Sequence, residues 1–300
     1  MNARNPTGSG AVARWEQLGE YRELCGHRVF TIAAPPVGTE RHEPLLVLHG
    51  FPSSSFDFHL VHDGLRRNRQ VLLLDMLGYG LSAKPDVAYT IALQADIVAA
   101  FVAARGADTV ALLTHDMGDT VGGELLARQM EGAWPVAVTR RVVSNGSIYI
   151  EMAQLSAGQQ LLLSLPDELM PADSPITGAA VQAGVAATFS PRSRVAADEL
   201  AAFAELTERG DGQRVLARLI RYIEERRRHE GRFTGAIETH PSPLGIVWGR
   251  DDPIAVAAMA ERLHDARPDS RVCWLDDVGH YPMVESPARF GDAVEGLLAR

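Results

Sequence analysis

Three residues able to share a covalent reaction stand at the ends of apolar runs: Asp116, Asp252 and His280. Asp116 is the apex of A-L-L-T-H-D-M-G-D-T-V-G-G (Ala111–Gly123), with the apolar run Val110–Leu113 before it and a helix-like segment, Thr120–Gln129, after it. Strand, sharp turn and helix in that order lift the apex side chain above the end of a sheet, and the turn demands small residues two positions to either side. Thr114 and Gly118 fill those places. Serine at such an apex attacks a carbonyl; a carboxylate can instead attack carbon and leave an alkyl-enzyme ester. The stretch alone reads equally as an acid capping a helix, because carboxylates favour helix N-termini. Residues further along the chain have to decide.

An alkyl-enzyme ester must be cleaved by water, and water needs a base. His280, directly after Gly279 at a strand end, fits that role, with an ordinary loop histidine as the competing reading. Asp252 would fix the imidazole tautomer and stabilise its charged form. Asp251 is its rival; Asp252 is preferred because it immediately precedes Pro253, where a turn can aim it. The oxyanion of ester hydrolysis needs backbone donors, expected from the N–H groups of Phe51 and Met117. Pro52 is a candidate cis-proline.

These side chains need a scaffold that gathers strand ends. Tyr21–Leu24 and Arg28–Ala33 read as short strands around Gly26, and Pro44–His49 and Val71–Asp75 as strands buried on both faces. A Ser-rich cap (Ser53–Ser55) is expected to start a helix through Leu60–Leu65, and Ile91–Ala104 has helical spacing. Gly78–Ser82 is a tight turn rather than a phosphate loop, since no Lys-Ser/Thr pair follows. Thr109–Thr114, Arg140–Ser144, Pro243–Gly249 and Val272–Leu275 complete the strands, with Ile254–Leu263 and Pro287–Leu298 as helices. The alternation predicts a mostly parallel, eight-stranded α/β sheet with helices on both faces, and ligands then bind at the carboxyl ends of its strands. It stops from Tyr149 to about Thr234, which is Ala-rich and too long for a bare loop. The expected division is a core over 1–148, a helical cap over 149–235, and the rest of the core over 236–300.

A net charge of -9 opposes nucleic acid and anionic membranes, so the expected partner is a small, mostly neutral, apolar molecule, with homodimerisation left open. Only Cys25 and Cys273 are present, which suggests neither a zinc cluster nor a disulfide framework, and no cofactor is called for. The first ten residues lack the apolar core of a signal peptide and are expected to fray, and no run of about 18 apolar residues occurs. The expected setting is soluble and cytoplasmic.

The order nucleophile, acid, histidine, together with H-G-F-P (His49–Pro52), G-Y-G-L-S (Gly78–Ser82), H-D-M-G (His115–Gly118), R-D-D-P (Arg250–Pro253) and Gly279-His280, resembles the α/β-hydrolase superfamily in its epoxide hydrolase branch. The wording of L-L-T-H-D-M-G-D (Leu112–Asp119) and R-Y-I-E-E-R-R-R (Arg221–Arg228) is closest to mesoderm-specific-transcript-like hydrolases. The resemblance implies cap tyrosines that hold an epoxide oxygen and protonate it. Tyr222, on the flank of the stripe Val215, Leu216, Leu219, Ile220 and Ile223, is the first candidate, and Tyr149 the second, although it lies nearer the elbow than is usual. An apolar epoxide and water are the implied reactants. Haloalkane dehalogenases resemble the same core but place Trp after the nucleophile and Asn after H-G, where this chain has Met117 and Phe51. Dehalogenation is therefore the alternative, and a non-catalytic binding module a third reading that the intact triad disfavours. Arg226–Arg228 with His229 are expected on a solvated cap-helix face.

Overall fold

The apolar runs L-L-V-L and V-L-L-L have no polar face, so they must be covered on both sides. In a computed structural model of the chain, which describes residues 10–299, they form strands β3 (Leu45–Leu48) and β4 (Val71–Leu74), buried at every position. The other strands are β1 (Glu20–Leu24), β2 (His27–Ala34), β5 (Thr109–His115), β6 (Ala137–Ser144), β7 (Leu244–Gly249) and β8 (Arg271–Leu275). They make one eight-stranded sheet in the order β1-β2-β4-β3-β5-β6-β7-β8. From β4 to β8 every pairing is parallel; only β1–β2 and β2–β4 are antiparallel. This is the mostly parallel sheet expected from the alternating strands and helices and the α/β hydrolase fold that the resemblance implies, and its apolar core fills both faces of the sheet.

Two helices start elsewhere than the apolar spacing suggests, and in each case a carboxylate explains why. Asp75 accepts hydrogen bonds from the N–H (2.8 Å) and hydroxyl (2.5 Å) of Ser55. The segment after it becomes a 3-10 turn, Ser55–Phe58, followed by a short helix at His62–Leu65. The helix expected from Ile254 begins at Ala257, because Asp252 takes the N–H groups of Ile254 and Ala255. A further helix, Gly10–Leu18, buries Val12 and Trp15 at a point where no element was expected; residues 1–9, expected to fray, lie outside the described residues.

Gly122 and Gly123 lie inside the helix Met117–Met130 and weaken it by propensity. Their value is in packing: a Cβ at Gly122 would stand 2.9 Å from Thr114 Cγ2 on β5, and one at Gly123 would stand 2.6 Å from the carbonyl oxygen of Phe233. The second contact presses the long helix Tyr222–Thr239 onto the helix that leaves the elbow. Between β6 and β7 the described structure is wholly helical or irregular. Cys25 and Cys273 are free, and no helix among the described residues is long and apolar enough to cross a membrane.

Candidate active site

β5 ends at His115, and the helix Met117–Met130 starts one residue beyond Asp116. Asp116 is left at φ 51°, ψ −114°, a backbone conformation that costs a non-glycine residue about 1–3 kcal/mol and persists only where neighbours enforce it. The neighbours here are glycines. A Cβ at Gly50 would stand 2.5 Å from Asp116 Cβ, and one at Gly118 would stand 2.5 Å from the carbonyl oxygen of Leu48. The carboxylate is buried and accepts a 2.8 Å hydrogen bond from the Phe51 N–H through Oδ2. Phe51–Pro52 is cis. Phe51 N–H is thus already aimed at an oxygen of Asp116, where an oxyanion would form, and Met117 opens a helix whose first N–H groups lack intrahelical partners.

The strand ends to one side bring His280 and Asp252 next to Asp116. His280 Nδ1 donates to Asp252 Oδ2 at 2.8 Å, and His280 Nε2 faces Asp116 Oδ1 at 4.0 Å. Asp251 instead accepts from the hydroxyl of Ser190 at 2.6 Å, so of the two carboxylates it is Asp252 that touches His280. Both oxygens of Asp252 are occupied: Oδ1 by the N–H groups of Ile254 and Ala255, Oδ2 by His280 and by Asn145 Nδ2 at 2.7 Å. Asn145 follows β6 at φ 47°, and its Oδ1 accepts from Gly249 N–H, tying three strand ends together. No pattern within S-N-G-S announced that role.

Burial alone would depress His280, but the charge and hydrogen bond of Asp252, with the charge of Asp116, outweigh it and lift the imidazole to about 9. His115, beside it, is held well below the ordinary histidine range by burial and by His280, so its ring stays neutral.

Beside these residues, a cavity is walled by apolar side chains such as Phe51, Leu162, Ile176 and Leu216, with Gln159 and His280 among its polar edges. Asp116 and Tyr222 are not in that wall but directly behind it: Asp116 bonds the Phe51 backbone, and the Tyr222 ring is 5.8 Å from the Phe51 ring. Burial and then the charge of Asp116 raise the Tyr222 hydroxyl above its ordinary value, while Arg226 and a hydrogen bond from Gln159 draw it down.

Gln159 was not singled out in the sequence, although a signal existed. Ser156-x-x-Gln159 is a capping box, in which the glutamine oxygen accepts from the Ser156 N–H (2.8 Å) and the Ser156 hydroxyl from the Gln159 N–H. With its oxygen turned to the Ser156 N–H, the amide has its NH2 group left to offer to the cavity and to Tyr222.

Two expectations need correction. The Tyr149 hydroxyl donates to Glu238 at 2.7 Å and its ring lies under Arg262, so it does not reach the cavity; a carboxylate 89 residues away claims it. Of the run Arg226–Arg228 with His229, the last three are exposed as expected, but Arg226 is 1% exposed. It falls four residues after Tyr222, on the same inward helix face.

A family model described as the alpha/beta hydrolase family matches residues 45–293. LipZ of Mycobacterium tuberculosis, provisionally named a hydrolase, is 38% identical over 97% of this chain and 99% of its own. The human mesoderm-specific transcript homolog protein is 32% identical over 98% of this chain and 89% of its own. Among solved structures, an epoxide hydrolase from Bacillus megaterium superposes with a TM-score of 0.71 at 22% identity, covering 94% of this chain and all of that one.

Proposed function

The chain belongs to the alpha/beta hydrolase family, and we propose that it hydrolyses an epoxide to a vicinal diol. The observation that carries this reading is a carboxylate at the elbow apex, Asp116, and a buried phenol, Tyr222, gathered on one residue: the Phe51 N–H binds Asp116 Oδ2 at 2.8 Å and the Tyr222 ring lies 5.8 Å from the Phe51 ring. Asp116 Oδ attacks a ring carbon as the ring C–O bond breaks, and the departing oxygen takes the proton of Tyr222. Gln159 donates to the same oxygen in place of a second tyrosine. Water then attacks the ester carbon with its proton passing to His280, the oxyanion rests on the N–H groups of Phe51 and Met117, and Asp252 holds the imidazole.

His280 is held up to about 9 while Asp116 is ionised. Esterification removes that negative charge, so the imidazole becomes easier to deprotonate just when a base is required. The same nucleophile would serve a haloalkane dehalogenase. That alternative is weaker, because the side chains of Met117 and Phe51 carry no N–H donor for a departing halide. The apolar wall of the cavity favours an apolar substrate.

The test is a parallel incubation with a panel of aryl and alkyl epoxides and a panel of haloalkanes, scoring diol and halide. Diol formation that is lost in Asp116→Asn and strongly slowed in Tyr222→Phe is the expected result. Halide release indifferent to Tyr222→Phe would replace this reading with dehalogenation.

A further inference from the structure

Arg226 presents a problem that the triad does not answer. Its guanidinium is buried, yet its three hydrogen bonds go to neutral oxygens: Nε to the Thr120 hydroxyl (2.8 Å), Nη1 to the Ser147 carbonyl (2.8 Å) and Nη2 to the Asp116 carbonyl (3.4 Å). Those bonds give each of its nitrogens a partner, but none of the partners carries a charge, and a buried charge is costly unless a counter-charge stands nearby. Burial lifts the nearby Asp119 carboxyl to about 8, although its bond to Thr114 and the charge of Arg226 draw it down. The same guanidinium sits 5.1 Å from the centroid of the Tyr222 ring. Arg226 therefore touches the backbone of the nucleophile and the ring of the acid at once.

We propose that Arg226 is the fixed counter-charge for the negative charge that moves from Asp116 to Tyr222 as the epoxide opens. The inference rests on the epoxide reading. Before attack the charge is on the Asp116 carboxylate. Ester formation consumes it, the ring C–O electron pair goes to oxygen, and that oxygen takes the Tyr222 proton. Tyr222 is left as a phenolate with its ring against a guanidinium. One unit of negative charge has moved, and the cation that bonds the Asp116 backbone and lies over the Tyr222 ring has not. In the second half-reaction the proton that His280 takes from water returns to Tyr222, closing the cycle. Preorganised charge at a site of developing charge is worth most where water is excluded, which describes this position. Arg226 acts through Tyr222 and is a positioning residue rather than a group that meets substrate.

A thermodynamic cycle tests this. In a His280→Gln background, the single-turnover rate of ester formation is followed by intact mass for Arg226→Gln and Arg226→Lys, each with Tyr222 and with Tyr222→Phe. With Tyr222 present, Arg226→Gln is expected to slow ester formation on the order of 10²-fold, and Arg226→Lys, which keeps the charge, about tenfold. With Tyr222→Phe, neither substitution should cost more than about threefold, since no phenolate forms. Equal losses in both backgrounds, or a lysine no better than glutamine, would overturn the proposal in favour of a purely structural tie between cap and elbow. Should Arg226→Gln lack a cooperative melt, the Arg226→Lys pair decides alone: a loss confined to the Tyr222 protein supports the proposal, and equal losses or none overturn it. Failure of the epoxide reading itself has another signature, namely no adduct at all with native Arg226 and Tyr222.

Discussion

The sheet side of the site and the cap side, made by the helices between β6 and β7, hold their polar groups by different means. On the sheet side, backbone does most of the holding of the two carboxylates: Asp116 by its elbow and the Phe51 N–H, Asp252 by the N–H groups of Ile254 and Ala255, with Asn145 as a side-chain addition. On the cap side, one side chain is held largely by another: Tyr222 by Arg226 and Gln159, and Tyr149 by Glu238 and Arg262. Backbone restraint follows from a turn and is written locally. Side-chain restraint depends on partners far apart in the chain. Substitutions on the sheet side should therefore abolish a step, while those on the cap side should grade its rate.

The largest expected effect is on the sheet side. Asp116→Asn should reduce diol formation by about 10⁴-fold or more, since no ester can form, and steady-state assay with a substrate of the native protein checks it. Residual turnover within about tenfold of native would erase the distinction between the two sides.

On the cap side, Tyr222→Phe should slow ring opening by about 10²–10³-fold and Gln159→Leu by about 10–10²-fold, read as single-turnover rates. A control keeps the second value interpretable. Ser156→Ala removes the Ser156 hydroxyl from the capping box without touching the Gln159 amide, and should cost about 1 kcal/mol of stability while leaving the rate within a few-fold. If Ser156→Ala slowed ring opening as much as Gln159→Leu, the glutamine would matter only for the helix.

The pH dependence sharpens the sheet side. Ester hydrolysis needs neutral His280, so its rate should rise with pH and level off, with an inflection below the value of about 9 that applies while Asp116 is charged. Asn145→Ala removes a donor from Asp252 Oδ2, the oxygen that His280 bonds. Asp252 then stabilises the imidazolium more strongly, and the inflection should move to higher pH, by about half to one unit. A shift to lower pH would contradict the assigned role of Asn145. The smallest effect is expected at Tyr149, whose hydroxyl serves Glu238: Tyr149→Phe should leave turnover within about twofold and lower the melting temperature slightly.

The same contrast explains what could be read from the sequence. Asp116, Asp252 and His280 each close an apolar run, and the choice of Asp252 over Asp251 followed from Pro253 alone. The sheet, including the double burial of Leu45–Leu48 and Val71–Leu74, followed from runs with no polar face. Tyr149 misled because nothing near it in sequence points to Glu238. Arg226 misled because three arginines in a row average to a charged face, although the helix turns only the first of them inward with Tyr222. Gln159 was legible as a helix cap, but its bearing on Tyr222 arises where the helix Ala157–Ser164 packs, beyond what spacing can express.

Intact mass of His280→Gln after exposure to an epoxide that the native protein converts tests the central claim most directly. The account predicts a stable adduct whose added mass equals that of the whole epoxide, on the peptide carrying Asp116 and missing from the Asp116→Asn double variant. Complete turnover with an unmodified protein, or an adduct on another residue, would contradict it.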